Sequence, residues 1–436
     1  MSAIASLCIL ALALFGAPLF VVIGASGLLN FEAAGTPLPV MAGEHYKLAT
    51  NPHLITIPLF TLAGFLMAES RAADRLVRVS RALLGWLPGG LGIVVIASCA
   101  FFTTFTGASG VTIIALGGLL YPVLLRERYP EKFSLGLITS SGSIGLLFPP
   151  SLPIILYGIV SKTSIDELFI AGIVPGMIFL AVLAAYSLYV GRKNKVNRTP
   201  FELGEALSSI WMAKWELMVP VVVLVSIYGI PGLTEGLVTI AEASAICAIY
   251  LLVVQVFISK DIKLWASDPH TPDLFKVIRE SIVMVGAILI ILGVALGLTN
   301  YMVNEEIPMK ILALIQDRIT SKFTFLIALT IFLLIVGCLM DIFSAIIVVV
   351  PMIIPIAAVY GVHPVHLGII FLANLEIGYI TPPVGMNLFI SSLAFNKPVV
   401  QLYKMALPFL LLMLTALLIV TFNEGLSLWL VERWAD

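Results

Sequence analysis

The stretches SIGLLFPPSLP (Ser143–Pro153) and EIGYITPP (Glu376–Pro383) each lie in the middle of an apolar run that is long enough to cross a membrane. In both stretches two adjacent prolines remove two amide donors and prevent a regular helix. Carbonyl groups left unpaired in hydrocarbon cost several kcal/mol unless they line a polar cavity or meet a cation. A helix break at corresponding points of two halves therefore indicates the binding site of a transporter. The alternative is a pair of proline-kinked structural helices.

The composition is that of a polytopic membrane protein. Of the 436 residues, 60 % are hydrophobic and 11 % are charged, and the mean hydropathy is +1.10. About a quarter of the residues of a soluble domain are charged. The net charge of −1 argues against a nucleic-acid partner. The apolar composition instead indicates that the chain is surrounded by membrane lipid.

The sequence predicts no enzyme. It contains no glycine-rich Walker loop, no zinc-protease helix motif and no nucleophile elbow. The four cysteines lie far apart in apolar runs, and neither they nor the five histidines have the spacing of metal ligands. We therefore expect no catalytic residues and no transition metal.

The two halves of the chain repeat with a constant separation, which we call the repeat offset. Gly378 follows Gly145 at the same distance along the chain as Pro382 follows Pro149. We predict a first repeat at residues 1–190, a linker region at 191–235 with a basic loop, a surface helix and one span, and a second repeat at 236–436. The first repeat is expected to contain an arm helix at 70–86, a hairpin at 91–125 and a broken helix at 133–161. The second repeat is expected to contain an arm helix at 304–322, a hairpin at 323–358 and a broken helix at 366–394.

The hairpins are predicted from the distribution of charge. No charged residue occurs from Ala82 to Leu125, a run too long for one span, and both of its ends are flanked by arginine. Its middle, Thr103–Gly110, is small and polar, so we expect a re-entrant hairpin with its tip at Thr106–Gly110, buried in protein or facing water. The alternative is two full spans joined by a tight turn outside the membrane. The second hairpin is expected to have its tip at Gly337–Asp341.

The topology follows from counting crossings and basic loops. Each half is expected to cross four times, and the single linker span inverts the second half relative to the first. The arm with Arg71, Arg75, Arg78 and Arg81 is expected at the membrane surface with its arginines in water or among headgroups, and residues 30–53 are expected to form a polar loop. The basic loops then share one face, which places the N-terminus in the cytoplasm and the C-terminus on the opposite side. The predicted fold is an all-α polytopic membrane protein of two inverted repeats, each with a re-entrant hairpin and a broken transmembrane helix.

The hairpin tips and helix breaks are expected to meet near the middle of the membrane. Hydroxyl and carbonyl oxygens suit a bare hard cation such as Na⁺, and helix ends attract an anionic substrate. The candidate residues for Na⁺ or substrate in the first half are Thr106, Gly107, Ser109, Ser143, Gly145, Phe148 and Pro149. Those in the second half are Gly337, Asp341, Glu376, Gly378, Thr381, Pro382 and Asn387.

Several of these residues have an alternative interpretation. Asp341 and Glu376 are the carboxylates deepest in apolar sequence, where an ionisable group is a functional candidate by default. Asp341 could instead cap the helix that begins at Ile342, and Glu376 could be a protonated or hydrogen-bonded structural acid. Asn374 and Asn387 flank the second break and could bind either substrate or freed backbone groups.

These residues resemble the large membrane subunit of TRAP (tripartite ATP-independent periplasmic) transporters, the dicarboxylate-type permease family. The matching segments are Thr106–Gly110, Ile144–Pro153, Met340–Asp341 and Asn374–Leu388. One departure is Ala108, where many relatives have a serine, so one hydroxyl ligand is absent from the first tip.

The resemblance implies an elevator-type fold and sodium-coupled import of an organic anion across the bacterial inner membrane. It implies two partners, a periplasmic substrate-binding protein and a small four-helix membrane subunit, and Na⁺ as the coupling ion without another cofactor. The rival function is a stand-alone, proton-coupled anion transporter or exchanger in which Glu376 and Asp341 carry protons.

Overall fold

The computed structural model describes residues 17–35, 37–50, 52–197, 200–229, 238–265, 273–315 and 319–435, together with residues 8, 9 and 11. Within these ranges the chain is helical and forms no β-strand, only an isolated β-bridge between Lys263 and Asp273. This confirms the prediction of an all-α protein. Arg198, His270 and the end of the predicted linker span lie outside the described residues.

The helices of the first half and the linker region follow one another closely along the chain. They are α1 (Leu19–Ala33), α2 (Pro39–Ala49), α3 (Thr56–Ala68), α4 (Ala72–Leu84), α5 (Gly90–Thr106), α6 (Ser109–Arg126), α7 (Glu131–Ser141), α8 (Leu152–Ser161), α9 (Ile165–Lys193), α10 (Leu203–Met212) and α11 (Lys214–Tyr228). A 3₁₀ turn, Ile144–Leu147, stands between α7 and α8, and these two segments are bent by 47° at the first proline pair.

From the arm onward the helices of the second half have the same order as those of the first, with one more at the end; before the arm, one long helix stands where the first half has α2 and α3. They are α12 (Ile240–Leu252), α13 (Leu274–Asn304), α14 (Ile307–Ile315), α15 (Lys322–Leu339), α16 (Ile342–Val359), α17 (Pro364–Gly378), α18 (Met386–Phe395), α19 (Val399–Phe422) and α20 (Gly425–Ala435). Among the described helices of both halves, seven are long and apolar enough to cross a membrane, if α12 is counted with the π-helical turn Val253–Ile258 that continues it.

The helix boundaries repeat with the offset that the sequence predicts. Helix α6 covers Ser109–Arg126 and α16 covers Ile342–Val359, so the first residues and the last residues of the two helices are both separated by the repeat offset. The packing is reciprocal, because α6 of the first half packs against α18 of the second, and α16 of the second packs against α8 of the first. Such an exchange of partners is the contact pattern that a pseudo-twofold axis between two repeats produces.

Two helices were not expected from the sequence. Residues 30–53 are predicted as a polar loop, but they contain α2, whose Met41 lies against Gly27 of α1 and Gly297 of α13. A side chain at Gly297 would approach the Met41 Cγ to 2.7 Å, so the glycine makes room for it. The short α20 follows the last predicted span and packs along α9. Tertiary packing therefore orders both segments.

The arm helix α4 is attached to the rest of the protein by a buried ionic cluster, which we call the arm cluster. The Arg75 guanidinium donates to Glu216 Oε1 of α11 at 2.6 Å, to Asp261 Oδ2 at 2.7 Å and to Gln255 Oε1 at 3.3 Å. The Glu216 side chain is 1 % exposed and that of Arg75 is 13 % exposed. The expectation that all arm arginines lie in water or among headgroups is thus wrong for Arg75, because carboxylates of two other segments replace the solvent.

We expect Arg75→Ala to destabilise the protein by about 3 kcal/mol, because it leaves the Glu216 carboxylate buried without a counter-charge. The measurement is thermal unfolding of the purified protein in detergent. Arg78→Ala is the matched control, since Arg78 lies one turn further along α4 and its ion pair with Glu205 is exposed on both sides. Exposed pairs contribute little, so the control should unfold near the wild-type temperature. Equal unfolding temperatures for both variants would contradict the assignment.

Candidate ion and substrate site

The tip of the first hairpin, formed by α5 and α6, is a two-residue turn. Helix α5 ends at Thr106, Gly107 takes a left-handed conformation with φ +62°, and Ser109 begins α6 after the extended Ala108. A Cβ at Gly107 would lie 3.1 Å from the Leu152 Cβ, so this turn sits directly against the start of α8. The predicted tip and the first proline break are therefore neighbours in space.

Threonine hydroxyls of α5 meet the carbonyls at the end of α7. Thr103 Oγ1 donates to Gly142 O at 2.8 Å, and Thr104 Oγ1 lies 3.0 Å from Gly145 O and 2.8 Å from Ala100 O. The backbones are also close, because a Cβ at Gly145 would lie 2.2 Å from Ala100 O. The two threonines partner carbonyls that the break removes from regular helical bonding. The site residues inferred from the sequence do not include them, although they precede the polar tip directly.

Asp341 begins the return helix of the second hairpin, which is formed by α15 and α16. Its Oδ1 accepts from the backbone N–H groups of Phe343 and Ser344, both at 3.0 Å, and its Oδ2 accepts from the Ser344 hydroxyl. Asp341 is therefore an N-cap, as the alternative interpretation holds. A carboxylate has about four lone-pair positions, so these three bonds leave capacity for a cation.

The second hairpin touches the second break through two glycines. A Cβ at Gly378 would lie 2.5 Å from the carbonyl carbon of Gly337, so Gly378 has no space for a side chain, and a Cβ at Gly337 would be tight at 3.0 Å from the Leu375 Cα. Tyr379 also contributes, because its hydroxyl oxygen accepts from the backbone N–H of Ile342 at 2.6 Å. Gly337 and Gly378 are the equivalents of Thr104 and Gly145 at the repeat offset. Each hairpin thus meets its own break at the same place by close backbone contact, to which the first half adds the Thr104 hydroxyl.

Asn387 joins the two halves. The sequence assigns it to the second cluster, whereas in the structure its Oδ1 accepts from Ser109 Oγ at the first tip, at 2.7 Å. Its Nδ2 donates to Thr139 O at 3.3 Å and to Ser143 Oγ at 3.4 Å. Ser143 Oγ in turn donates to Glu376 O at 3.4 Å. This chain of bonds runs from the first hairpin tip to the second break, and Ser143 and Glu376 are equivalent positions that touch at the pseudo-twofold axis.

Several oxygens around this network have no hydrogen-bond partner within the described part of the chain. The Glu376 side chain is fully buried, and among the described residues neither carboxylate oxygen has a hydrogen-bond partner of regular geometry, although the Leu147 N–H faces this carboxylate. Three further oxygens are buried without a hydrogen-bond partner in the same described ranges, namely the hydroxyls of Thr106 and Ser141 and the side-chain carbonyl oxygen of Asn374. Buried polar atoms ordinarily have partners, so these oxygens are available to a proton, a water molecule or a cation.

The two breaks differ in their surroundings. Phe148 and the buried Pro149 line a cavity of about 370 Å³ between α5, α9 and α11, and Thr104 is the one lining residue with a polar side chain. At the second break Pro382 is exposed and Thr381 is half-buried, with its hydroxyl donating to Ile377 O at 2.8 Å. The structure therefore does not bring these two residues into the network around Asn387. Both proline pairs contain a cis peptide bond.

The fold and this site define a helical membrane protein in which two hairpin tips are seated on two helix breaks. Residues 6–426 match the family described as "Tripartite ATP-independent periplasmic transporter, DctM component". The chain belongs to this family, the large permease subunits of TRAP transporters, which confirms the resemblance seen in the sequence.

The similar proteins are transporter permeases. The isethionate TRAP transporter permease protein DctMQ of Oleidesulfovibrio alaskensis is 34 % identical over 416 residues, which cover 95 % of this chain and 64 % of that longer protein. The C4-dicarboxylate TRAP transporter large permease protein DctM of Pseudomonas aeruginosa is 34 % identical over 386 residues, covering 88 % of this chain and 86 % of that protein. The ectoine TRAP transporter large permease protein TeaC of Halomonas elongata is 31 % identical, covering 85 % and 84 %.

The fold is shared with a solved structure. The Alcanivorax borkumensis YdaH transporter superposes with a TM-score of 0.62 over 90 % of this chain and 88 % of that one, at 13 % sequence identity. At this identity the likeness concerns the fold alone.

We expect Gly378→Ala to destabilise the protein by about 1–3 kcal/mol, because the added methyl group would be forced against the Gly337 backbone. The measurement is again the unfolding temperature in detergent. Gly286→Ala is the control, since Gly286 lies inside α13 and a Cβ there meets no atom within 4 Å. That control should be neutral or slightly stabilising because alanine favours the helix. A Gly378→Ala variant as stable as the control would show that the contact between hairpin and break is not required.

Proposed function

We propose that this chain is the translocating subunit of a sodium-coupled importer of organic anions. The observation that supports this most is the network in which two hairpin tips and two helix breaks meet around buried oxygens without partners. A structural pair of kinked helices would have no reason to leave these oxygens unpaired. The arrangement suits an ion that is bound, carried and released.

Na⁺ is the proposed coupling ion at each tip. At the first tip the unpaired Thr106 hydroxyl stands beside the carbonyls of the turn, which supports an all-oxygen site of the kind that hard cations prefer. Ser109 Oγ is a second proposed ligand, because it donates its proton to Asn387 Oδ1 and keeps both oxygen lone pairs for a cation. At the second tip Asp341 is the proposed ligand, with the capacity that its capping bonds leave.

The proposed substrate is a carboxylate-type organic anion. Four helices begin at the tips and breaks, namely α6, α8, α16 and α18, and helix N-termini favour negative charge through their free amides and dipoles. The name of one relative supports the class, since C4-dicarboxylates are carboxylate anions; the isethionate of another is a sulfonate and supports only an organic anion. The substrate would enter only once Na⁺ has ordered the tips.

We propose two partner proteins in a bacterial inner membrane. A periplasmic binding protein would deliver the anion, and a small four-helix subunit would join the permease in the membrane. The DctMQ relative, which is considerably longer than this chain, supports a second membrane subunit. The proposed orientation has a cytoplasmic N-terminus and a periplasmic C-terminus, as the basic loops indicate.

The proposed mechanism is an elevator movement. The hairpins and broken helices form the mobile unit, and the arms with the outer spans hold it to a scaffold. The arm cluster supports this division, because it ties α4 to α11 and to Asp261, none of which belongs to the mobile unit.

The buried carboxylate of Glu376 is the observation that favours the rival function, a proton-coupled transporter. Within the described residues its buried carboxylate has no counter-charge and only the Leu147 N–H facing it, which is the condition expected of a group that takes up and releases a proton. Asp341, by contrast, is engaged by three hydrogen bonds as a cap. A proton-coupled transporter would therefore depend on Glu376 rather than on both carboxylates.

We expect Thr106→Ala to raise the Na⁺ concentration for half-maximal uptake roughly fivefold, because one oxygen ligand is removed. The assay is anion uptake into proteoliposomes containing this chain, its small subunit and its binding protein. Thr330→Ala is the control, since the Thr330 hydroxyl is also buried and unpaired but lies in α15 away from the tips. If uptake continued undiminished without a sodium gradient, the coupling proposal would be abandoned.

The variant Glu376→Gln separates the two couplings in the same proteoliposomes. If Glu376 is a sodium ligand, as we expect, loss of its charge weakens the apparent Na⁺ affinity, and an imposed pH gradient drives uptake in neither protein. If Glu376 carries protons, a pH gradient drives uptake by the wild type and not by the variant. The second result would replace sodium coupling by proton coupling.

A further inference from the structure

The two hairpins are closed differently at their outer ends, the ends away from the tips. In the first hairpin, Gly89 precedes α5 and lies against Gly191 of α9, where a Cβ on Gly191 would come within 2.3 Å of the Gly89 Cα. The buried Ser187 hydroxyl also donates to Gly89 O at 2.9 Å. The contact between Gly89 and Gly191 joins two backbones and involves no charge, although Glu127 at the end of α6 pairs with Arg81 of the arm at 3.7 Å.

An ion pair takes the place of this contact in the second hairpin. Lys322 and Glu424 are the equivalents of Gly89 and Gly191 at the repeat offset. Lys322 Nζ lies 2.5 Å from Glu424 Oε2 and donates to Gly361 O at 2.9 Å, and Glu424 Oε1 accepts from the His363 N–H at 3.2 Å. The same position is thus closed by backbone contact in one repeat and by opposite charges in the other.

Glu424 is placed by the chain segment that leads into the C-terminal helix α20. His366, near the start of α17, is buried between the Ser427 hydroxyl, 3.0 Å from its Nδ1, and Thr421 O, 3.2 Å from its Nε2. This segment therefore holds the outer end of α15, the loop before α17 and the start of α17 together, while α20 packs along α9.

The charges persist at neutral pH. Partial burial alone raises the pKa of Glu424, but the Lys322 ammonium and the His363 amide outweigh it and hold that pKa below its usual value. Both side chains are nevertheless about one-third exposed, at 38 % and 32 %. A pair of this exposure can separate without leaving a charge in an apolar environment, whereas the glycine contact of the first hairpin offers no such exchange with water.

We propose that Glu424 and α20 form a releasable clasp on the second hairpin, and that this hairpin opens while the first stays fixed at its outer end. Helix α15 has 18 residues and spans about 27 Å, so a displacement at Lys322 is carried to Met340 and Asp341 at the tip. The clasp sets how readily the second site is exposed. Its consequence for uptake rests on the proposed transport function, but opening of the hairpin does not.

The test uses a native reporter. Cys338 lies three residues before Asp341 and is 5 % exposed, so its alkylation by N-ethylmaleimide reports opening of the second tip. In full-length protein in membrane vesicles with Cys8→Ser, without Na⁺ or substrate, Glu424→Gln should raise the alkylation rate of Cys338 roughly fivefold. Lys322→Ala should act in the same direction, and the exchanged pair Lys322→Glu with Glu424→Lys should restore slow alkylation.

Two controls decide the outcome. Glu432→Gln changes the same residue type within α20 at an exposed position and should leave Cys338 unchanged. Cys99 of α5 and Cys247 of α12 are fully buried and should stay unmodified, since the first hairpin and the core remain closed. Wild-type rates at Cys338 in Glu424→Gln, or faster alkylation of Cys99 together with Cys338, would overturn the proposal. Because no transport is measured, neither result depends on sodium coupling.

Discussion

Removing amide donors from the middle of a membrane span leaves backbone carbonyls that lipid cannot satisfy, and the two proline pairs impose this condition twice. In this protein a helical hairpin packs against each break and so covers these carbonyls. The Thr103 hydroxyl donates to the Gly142 carbonyl oxygen, and the Thr104 hydroxyl lies within hydrogen-bond distance of the Gly145 carbonyl oxygen. At the second break the hairpin approaches so closely that Gly337 and Gly378 touch. The hairpins are therefore required by the breaks, and the tips lie where the polar backbone is.

The two repeats form one framework of packed helices, and the proposed function depends on positions where equivalent residues of the two repeats differ. Reciprocal packing of α6 on α18 and of α16 on α8 places each hairpin between the two halves. The bond from Ser109 to Asn387 crosses this boundary on one side. The equivalent positions on the other side, Ile342 and Ile154, are buried and apolar and cannot form such a bond. The first tip is thus held by a polar link to the opposite repeat that the second tip lacks.

Much of this architecture could be predicted because it depends on local chemistry. Charge-free runs flanked by arginine mark the hairpins, adjacent prolines mark the breaks, and a constant offset relates the halves. The contacts that build the site could not be predicted in the same way. The partner of Asn387 is 278 residues away at Ser109, and nothing in either local sequence specifies it. Helix α2 likewise depends on the space that Gly297 leaves for Met41.

The arms show how the same sequence pattern can have different physical consequences. Both arms lie between an outer span and a hairpin, but Arg75 of α4 is equivalent to Pro308 of α14, which has no charge to bury. Ion pairs therefore bind the first arm to α11 and Asp261, whereas the ion pair of Lys310 in the second arm, with Glu305, is exposed and local to that arm. An ionic anchor that costs several kcal/mol to break is suited to a fixed attachment. In the proposed elevator movement, the first arm would then bend about this fixed point, whereas the second arm, which packs on α13 and α16, has no such ionic attachment among the described residues.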